Sequence, residues 1–420
     1  MNYTPKTFPN GLRTLTIEDK DSLSTTILFL VNTGSRFESN DEAGIAHFVE
    51  HTIFKGTKKR PDVYQIGMEV ESLGAKMNAF TSYDYTGYYI KCPKESFKQA
   101  FEILSDMFQN SLFMQSDIDK ERGVILEEMR MYEDQPMDKV HSVFSELLYG
   151  EHPLGRDIIG REETIKSIMA DDFKTFLGKY YNVKNTVISV AGGITHQEVS
   201  NQIEKHFGNF AKGTENKVDK EFSRDRRKKE RLQNLRKPIS QSHLILGGFA
   251  PSRKEKKKKY IVKVANTLLG RGFSSRLFQE IRERLGLAYY VYSQINKFEE
   301  IADFRIAMGV ENSNVQNAVD GVIEQLEKVK HGRFSDVELT RAKNYLIGGL
   351  SLDLEATNQL ASWYGMQFLK ENEIVPVEEV KNLIKKVNKD TIVSVCEEIF
   401  DHENLYLASV SPHRSLGIEF

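Results

Sequence analysis

The sequence predicts an α+β fold made of two homologous domains, each a mainly antiparallel sheet packed with helices. Three observations carry this. The 420 residues, 40% apolar with 25 Phe and 17 Tyr, exceed what one core accommodates. Apolar periods of two and of 3.6 alternate along the chain. The order of elements in the first half recurs in the second, as a diverged duplication of one domain would leave it.

In the first half, Thr25, Ile27, Phe29 and Val31 alternate as a strand before the turn Asn32-Thr33-Gly34-Ser35, and a helix is expected to follow near Ala43. Lys76 to Cys92 reads as a hairpin bending near Ser82 to Asp84. Glu95 to Gln109 is helical, with Phe97, Ala100, Phe101, Leu104 and Met107 on one face. Ser116-Asp117 reads as the N-cap of a helix running to about Tyr132. A helix over Asp172 to Tyr180 and a strand over Thr186 to Val190 complete a domain assigned to residues 1–212.

Residues 213–238 are polar and aperiodic, include Arg224-Asp225-Arg226-Arg227-Lys228-Lys229, and read as a linker. From there, residues 239–420 repeat the pattern: a strand at Ser242 to Gly248, a helix from Lys259 to Leu269, extended chain at Ala288 to Asn296 and Ala302 to Val310, then a helix through Val315, Ala318, Val322 and Leu326. Ser335-Asp336-Val337-Glu338 followed by Arg341 mirrors Ser116-Asp117-Ile118-Asp119 followed by Arg122.

Composition narrows the function classes. A formal net charge of −2 provides no global field to gather nucleic acid, and the basic runs Arg226 to Lys229 and Lys256 to Lys259 lack the aromatic positions that stack bases. No stretch approaches the roughly 20 apolar residues of a spanning helix, and Met1 to Asn10 resembles neither a signal peptide nor a presequence, so a cytoplasmic protein without membrane or nucleic-acid partners is expected. Cys92 and Cys396 stand far apart, which argues against a disulfide framework or a thiolate metal site.

The chemistry concentrates in Ala46-His47-Phe48-Val49-Glu50-His51. On a helix, positions i, i+3 and i+4 share a face, so both imidazoles and the carboxylate converge. Hydrolytic zinc takes three His or carboxylate ligands and keeps one position for water. His-x-x-Glu-His reverses the zincin order and names such a site, with His47 and His51 on the metal and Glu50 beside the water as general base. For the third ligand, the helix after Ser116 offers Glu121, Glu127 and Glu128. At roughly 100° per residue, Glu121 and Glu128 fall on nearly one line beside Val124 and Ile125, whereas Glu127 falls off it. Glu128 is therefore assigned as ligand and Glu121 as a carboxylate orienting a His ring. One zinc ion per chain follows.

Several segments together resemble the pitrilysin-type (M16) metallopeptidases, in the branch of short two-domain chains that includes mitochondrial processing peptidase subunits and bacterial relatives. They are Gly34-Ser35-Arg36-Phe37-Glu38, Gly44 to His51, Phe54-Lys55-Gly56-Thr57, Asn78-Ala79-Phe80-Thr81-Ser82, Glu121 to Glu128 and His152-Pro153-Leu154-Gly155-Arg156. The distance from His51 to Glu128 is one residue longer than that family's usual spacing, which on its own would select Glu127. The extra residue is attributed to the Pro61 to Gly67 region, and Glu127 stays the alternative at this point.

The resemblance implies a zinc endopeptidase whose peptide substrates lie extended against the strand at Asn78-Ala79. It also implies that Arg282 and Tyr289, after Gly270-Arg271-Gly272-Phe273-Ser274-Ser275-Arg276-Leu277, contact substrate. A Gly-x-Gly alone is a weak sign of phosphate binding, and a tight strand-to-helix turn is expected there instead. Family members with four such domains enclose a chamber, so a two-domain chain is expected to form a homodimer with active sites completed in trans. The alternatives are a non-catalytic core or scaffold subunit, and the active subunit of a heteromeric processing peptidase.

Overall fold

The computed structural model of the chain describes residues 2–217, 230–414 and 416–419. The basic run Arg226 to Lys229 and much of the stretch read as a linker lie outside the described residues. Two compact units emerge, and neither follows the chain without interruption: the first includes Leu352–Val375, the second Met131–Arg156.

The first unit is built on a six-stranded sheet ordered β1-β2-β6-β3-β5-β4. Its strands are β1 (Asn2–Thr7), β2 (Arg13–Glu18), β3 (Ser24–Val31), β4 (Lys76–Thr81), β5 (Thr86–Pro93) and β6 (Thr186–Gly192). All neighbours are antiparallel except β2 and β6. The second unit's sheet runs β7-β11-β8-β10-β9, with β7 (Leu232–Arg236), β8 (Gln241–Ala250), β9 (Ala288–Lys297), β10 (Ala302–Glu311) and β11 (Tyr406–Ser411). Here too one pair, β7 with β11, is parallel. Strand for strand, β2-β6-β3-β5-β4 matches β7-β11-β8-β10-β9, so the duplication is visible in the topology. β7 falls inside the stretch that reads as polar and aperiodic.

β3 shows why these residues form a central strand. Ile27, Phe29 and Val31 point into a core of helices, where the Phe29 ring meets those of Phe101, Phe108 and Phe207 edge-on at 5.3–5.6 Å, the geometry that aromatic quadrupoles favour. The intervening Leu28 and Leu30 are equally buried. Their cover is the Thr357–Glu371 helix, whose Thr357 hydroxyl bonds that of Thr26 at 2.9 Å and whose Ala361 carbonyl accepts from the Ser189 hydroxyl at 2.9 Å. A strand covered on both faces is apolar throughout rather than alternating. In the second unit the Pro136–Tyr149 helix does the equivalent work, with Tyr149 donating to Asp303 at 2.7 Å beside a buried Asp303–Arg305 ion pair, also 2.7 Å.

The helix expected to be capped at Ser116-Asp117 begins at Gln115 and runs to Asp134, which puts those residues in its first turn, where Asp117 suits the helix dipole. The Gly270 to Leu277 segment joins two helical pieces, Lys259–Gly270 and the π-helical turn Phe278–Arg284, rather than a strand and a helix. The turn from Ser274 on thus continues a helical path, which periodicity across the two glycines did not display.

Gly365 permits the close approach of its helix to the sheet, since a Cβ there would lie 2.8 Å from the Ser189 Cβ and 2.9 Å from the Leu30 Cδ1. Overpacking of this kind costs about 1–3 kcal/mol. Gly365→Val is expected to lower the urea midpoint of the first unit accordingly, read from the melt of the purified chain; an unchanged midpoint would contradict the packing described.

Candidate metal centre

The Ile45–Thr52 helix buries Ile45, Ala46, Phe48, Val49 and Thr52 and leaves His47, Glu50 and His51 on its other face. Its start is fixed by two devices. Gly44 has φ of 98°, and a Cβ there would sit 2.6 Å from the Ile159 carbonyl. The buried Glu38 carboxylate accepts from the Gly44 and Ala46 backbone N–H groups, both at 2.8 Å, meeting the orphan donors of the first turn.

The long Gln115–Asp134 helix supplies the acids. Ile118, Glu121 and Ile125 are its buried residues, and Glu128 continues their line. Val124, placed beside that line by helical arithmetic, is instead exposed. Glu128 Oε2 lies 3.8 Å from His47 Nε2 and 3.5 Å from His51 Nε2. One donor atom from each of His47, His51 and Glu128 falls within 4.8 Å of the others, the single such group among the described residues. Glu127 is exposed and pairs with Arg130.

Behind the donors, His51 Nδ1 donates to Glu121 Oε1 at 3.0 Å, while Lys55 Nζ lies 2.5 Å from Glu121 Oε2. A carboxylate only accepts, so a proton of His51 is held on Nδ1 and Nε2 is the ring nitrogen on the Glu128 side, the one free to ligate a metal when it carries no proton. Ligands bound at about 2.0–2.2 Å around tetrahedral zinc stand roughly 3.4 Å apart, close to the observed separations. The His47 Nδ1, buried and without a hydrogen-bond partner among the described residues, is a further group whose environment disfavours charge. Burial, reinforced by the neighbouring His51, pushes the His47 pKa down to about 3, which keeps the ring in its ligating neutral form. The donor set fits a divalent zinc-type ion.

Glu50 accepts a hydrogen bond of 2.5 Å from the Thr81 hydroxyl. Its pKa is raised above the ordinary carboxylate value, chiefly by burial, against the opposing pull of that bond and of His51. Neither Thr81 nor Lys55 was singled out by sequence reasoning, although both belong to segments carrying the resemblance, Asn78 to Ser82 and Phe54 to Thr57.

Asn78 and Ala79 lie on β4, whose outer edge is the end of the sheet. The Ala79 N–H donates to the Asn78 side-chain oxygen at 2.8 Å. Arg282 and Tyr289 belong to the second unit and are brought to each other: the guanidinium stands 5.8 Å from the Tyr289 ring centroid and 4.9 Å from that of Phe278, and Tyr289 is 74% exposed.

Duplicated α+β units, one of them bearing a His-x-x-Glu-His helix with a distant glutamate, define the pitrilysin type of protein. The chain belongs to peptidase family M16: residues 13–162 match the family described as Insulinase (Peptidase family M16), and residues 167–346 match the Peptidase M16 inactive domain. A Bacillus subtilis protein named an uncharacterized zinc protease is 36% identical over 97% of both chains, and a Streptomyces coelicolor protein of like name is 33% identical over 94% of this chain and 86% of its own. Among solved structures, a protease from Helicobacter pylori superposes with a TM-score of 0.90 over 98% of this chain and 100% of that one, at 23% identity. A peptidase M16 inactive domain from Pseudomonas fluorescens gives 0.91 over 99% of each, at 20% identity. At such identities these likenesses establish the fold alone.

Metal analysis distinguishes the two adjacent carboxylates. Glu128→Gln is expected to lower zinc occupancy of the purified chain at least tenfold, a rough scale for a lost ligand, and Glu127→Gln to leave it unchanged. Loss in the second variant only would transfer the ligand role to Glu127.

Proposed function

We propose that the chain is a zinc-dependent endopeptidase for unstructured peptides, working as a homodimer whose active sites are completed in trans. The observation that carries the reading is the convergence of His47, His51 and Glu128 beside a half-buried Glu50 held by Thr81. His47, His51 and Glu128 would hold one zinc ion, which supplies Lewis acidity toward a peptide carbonyl and toward water.

Glu50 takes the proton of the attacking water at its carboxylate and returns it to the departing amine. Burial raises its proton affinity, as suits a group that must both accept and release. The Thr81 hydroxyl fixes one Glu50 oxygen and leaves the other for this transfer. Substrate pairs backbone to backbone along the open edge of β4, on which Asn78 and Ala79 lie. Recognition through main-chain groups tolerates many side chains and requires an unfolded segment. Tyr289, exposed beside Arg282, offers the substrate contact that the second copy brings.

Two experiments test this reading. Glu50→Gln removes the proton acceptor and no ligand, so zinc content is expected to stay near one per chain while kcat falls at least a thousandfold, a rough figure from general-base removal; a kcat within tenfold of wild type would exclude Glu50 as base. For the trans arrangement, a His47→Ala chain is mixed with an Arg282→Ala/Tyr289→Phe chain under subunit exchange. Random mixing leaves one intact site in half the dimers, so activity should return to about a quarter of wild type. Verified exchange without recovery would place the whole site in one chain or call for a different partner.

A further inference from the structure

None of the hydrolytic roles falls on the Phe54-Lys55-Gly56-Thr57 turn, yet it delivers an ammonium group to the back of the metal centre. Lys55 Nζ lies 2.5 Å from Glu121 Oε2, and the other oxygen of that carboxylate takes the His51 Nδ1 proton at 3.0 Å. The backbone beneath Lys55 is tightly fixed. Its N–H donates to Thr52 O at 3.0 Å, and Leu112 N–H donates to Gly56 O at 3.0 Å. Gly56 has φ of 151°, and a Cβ there would lie 2.5 Å from the Pro61 carbonyl. Thr57 donates to Asp106 at 2.6 Å, and the buried Arg60 ties Asp106, Glu69 and Glu102 together at 2.5–2.7 Å.

Charge points the same way. Three carboxylates, Glu50, Glu121 and Glu128, gather around the two imidazoles, and among the described residues Lys55 is the one lysine or arginine paired with any of them. With neutral imidazoles, three negative charges and one positive leave the formal charge of a divalent cation to be supplied.

We propose that Lys55 is a positioning residue for the metal, acting through Glu121: it pins one carboxylate oxygen so that the other holds His51 with its Nε2 lone pair aimed at the ion. The torsion that turns a glutamate carboxylate is soft and roughly twofold. A Glu121 group only 8% exposed, left with His51 as its one anchor, would lose both its plane and its charge partner. Groups behind metal ligands typically change affinity tenfold to a hundredfold.

The inference rests on the zinc reading, and the test separates the two. Zinc affinity is measured by chelator competition at one pH for the wild-type chain, Glu128→Gln, Lys55→Met, Glu121→Gln and the Lys55→Met/Glu121→Gln pair, with thermal melts of each metal-free protein. Lys55→Met is expected to weaken zinc binding about tenfold or more, beyond anything a lowered metal-free melt accounts for, and to add nothing further once Glu121 is already Gln. A wild-type affinity no tighter than that of Glu128→Gln would sink the metal centre itself. With that centre intact, three results would overturn the role of Lys55: affinity within about threefold of wild type, a loss that multiplies with that of Glu121→Gln, or a lowered metal-free melt accounting for the change.

Discussion

The candidate metal centre depends on the rotational setting of one short helix. Ile45–Thr52 is only eight residues long, well below the length at which an isolated helix holds together in water. Its stability is therefore borrowed: Ile45, Ala46, Phe48 and Val49 are fully buried, and the Glu38 carboxylate grips the first turn. A turn of one residue's worth, about 100°, would carry His47 and His51 off the line of Glu128. Burial of the apolar face prevents that rotation, so the same contacts that stabilise the fold aim the imidazoles.

Behind the ligands a chain of partners extends outward, from His51 to Glu121 to Lys55, and beneath them the Gly56 turn rests on the Arg60 cluster. Ionic groups of this kind cost desolvation and return it only when every partner is present. Around Arg60 three carboxylates surround one guanidinium, which is a poor arrangement for net stability and a good one for holding a loop in a single shape.

What could be read from the sequence divides along physical lines. The convergence of His47, Glu50 and His51 was legible because helical spacing is local and needs nothing beyond the helix itself. That Glu128 rather than Glu127 would face the imidazoles was legible from the position of Glu121 seven residues earlier, although Val124 proved to be exposed and only Ile118 and Ile125 mark the stripe. Thr81 and Lys55 were not singled out, since nothing in a strand end or a Gly turn announces which side chain will meet a distant carboxylate. The alternation read at Thr25 to Val31 identified β3 but not the burial of Leu28 and Leu30, because the helix that covers them lies more than 300 residues further along. β7 was hidden for a related reason: a five-residue strand of mostly polar side chains has no pattern to display until β11 pairs with it.

That distant covering helix has a consequence for how the protein comes into being. On the ribosome, β3 and β6 are made long before Thr357–Glu371, and at about 5–20 residues per second the wait is on the order of ten seconds. Throughout it, Leu28, Leu30 and the rest of one sheet face have no native cover, while the Pro136–Tyr149 helix, already synthesised, awaits a sheet not yet made. Neither unit can be finished vectorially, and the nascent chain must hold two incomplete cores in solution until almost the last tenth of its length emerges. A first half made alone would lack the cover of that sheet face for reasons of connectivity rather than of weak packing.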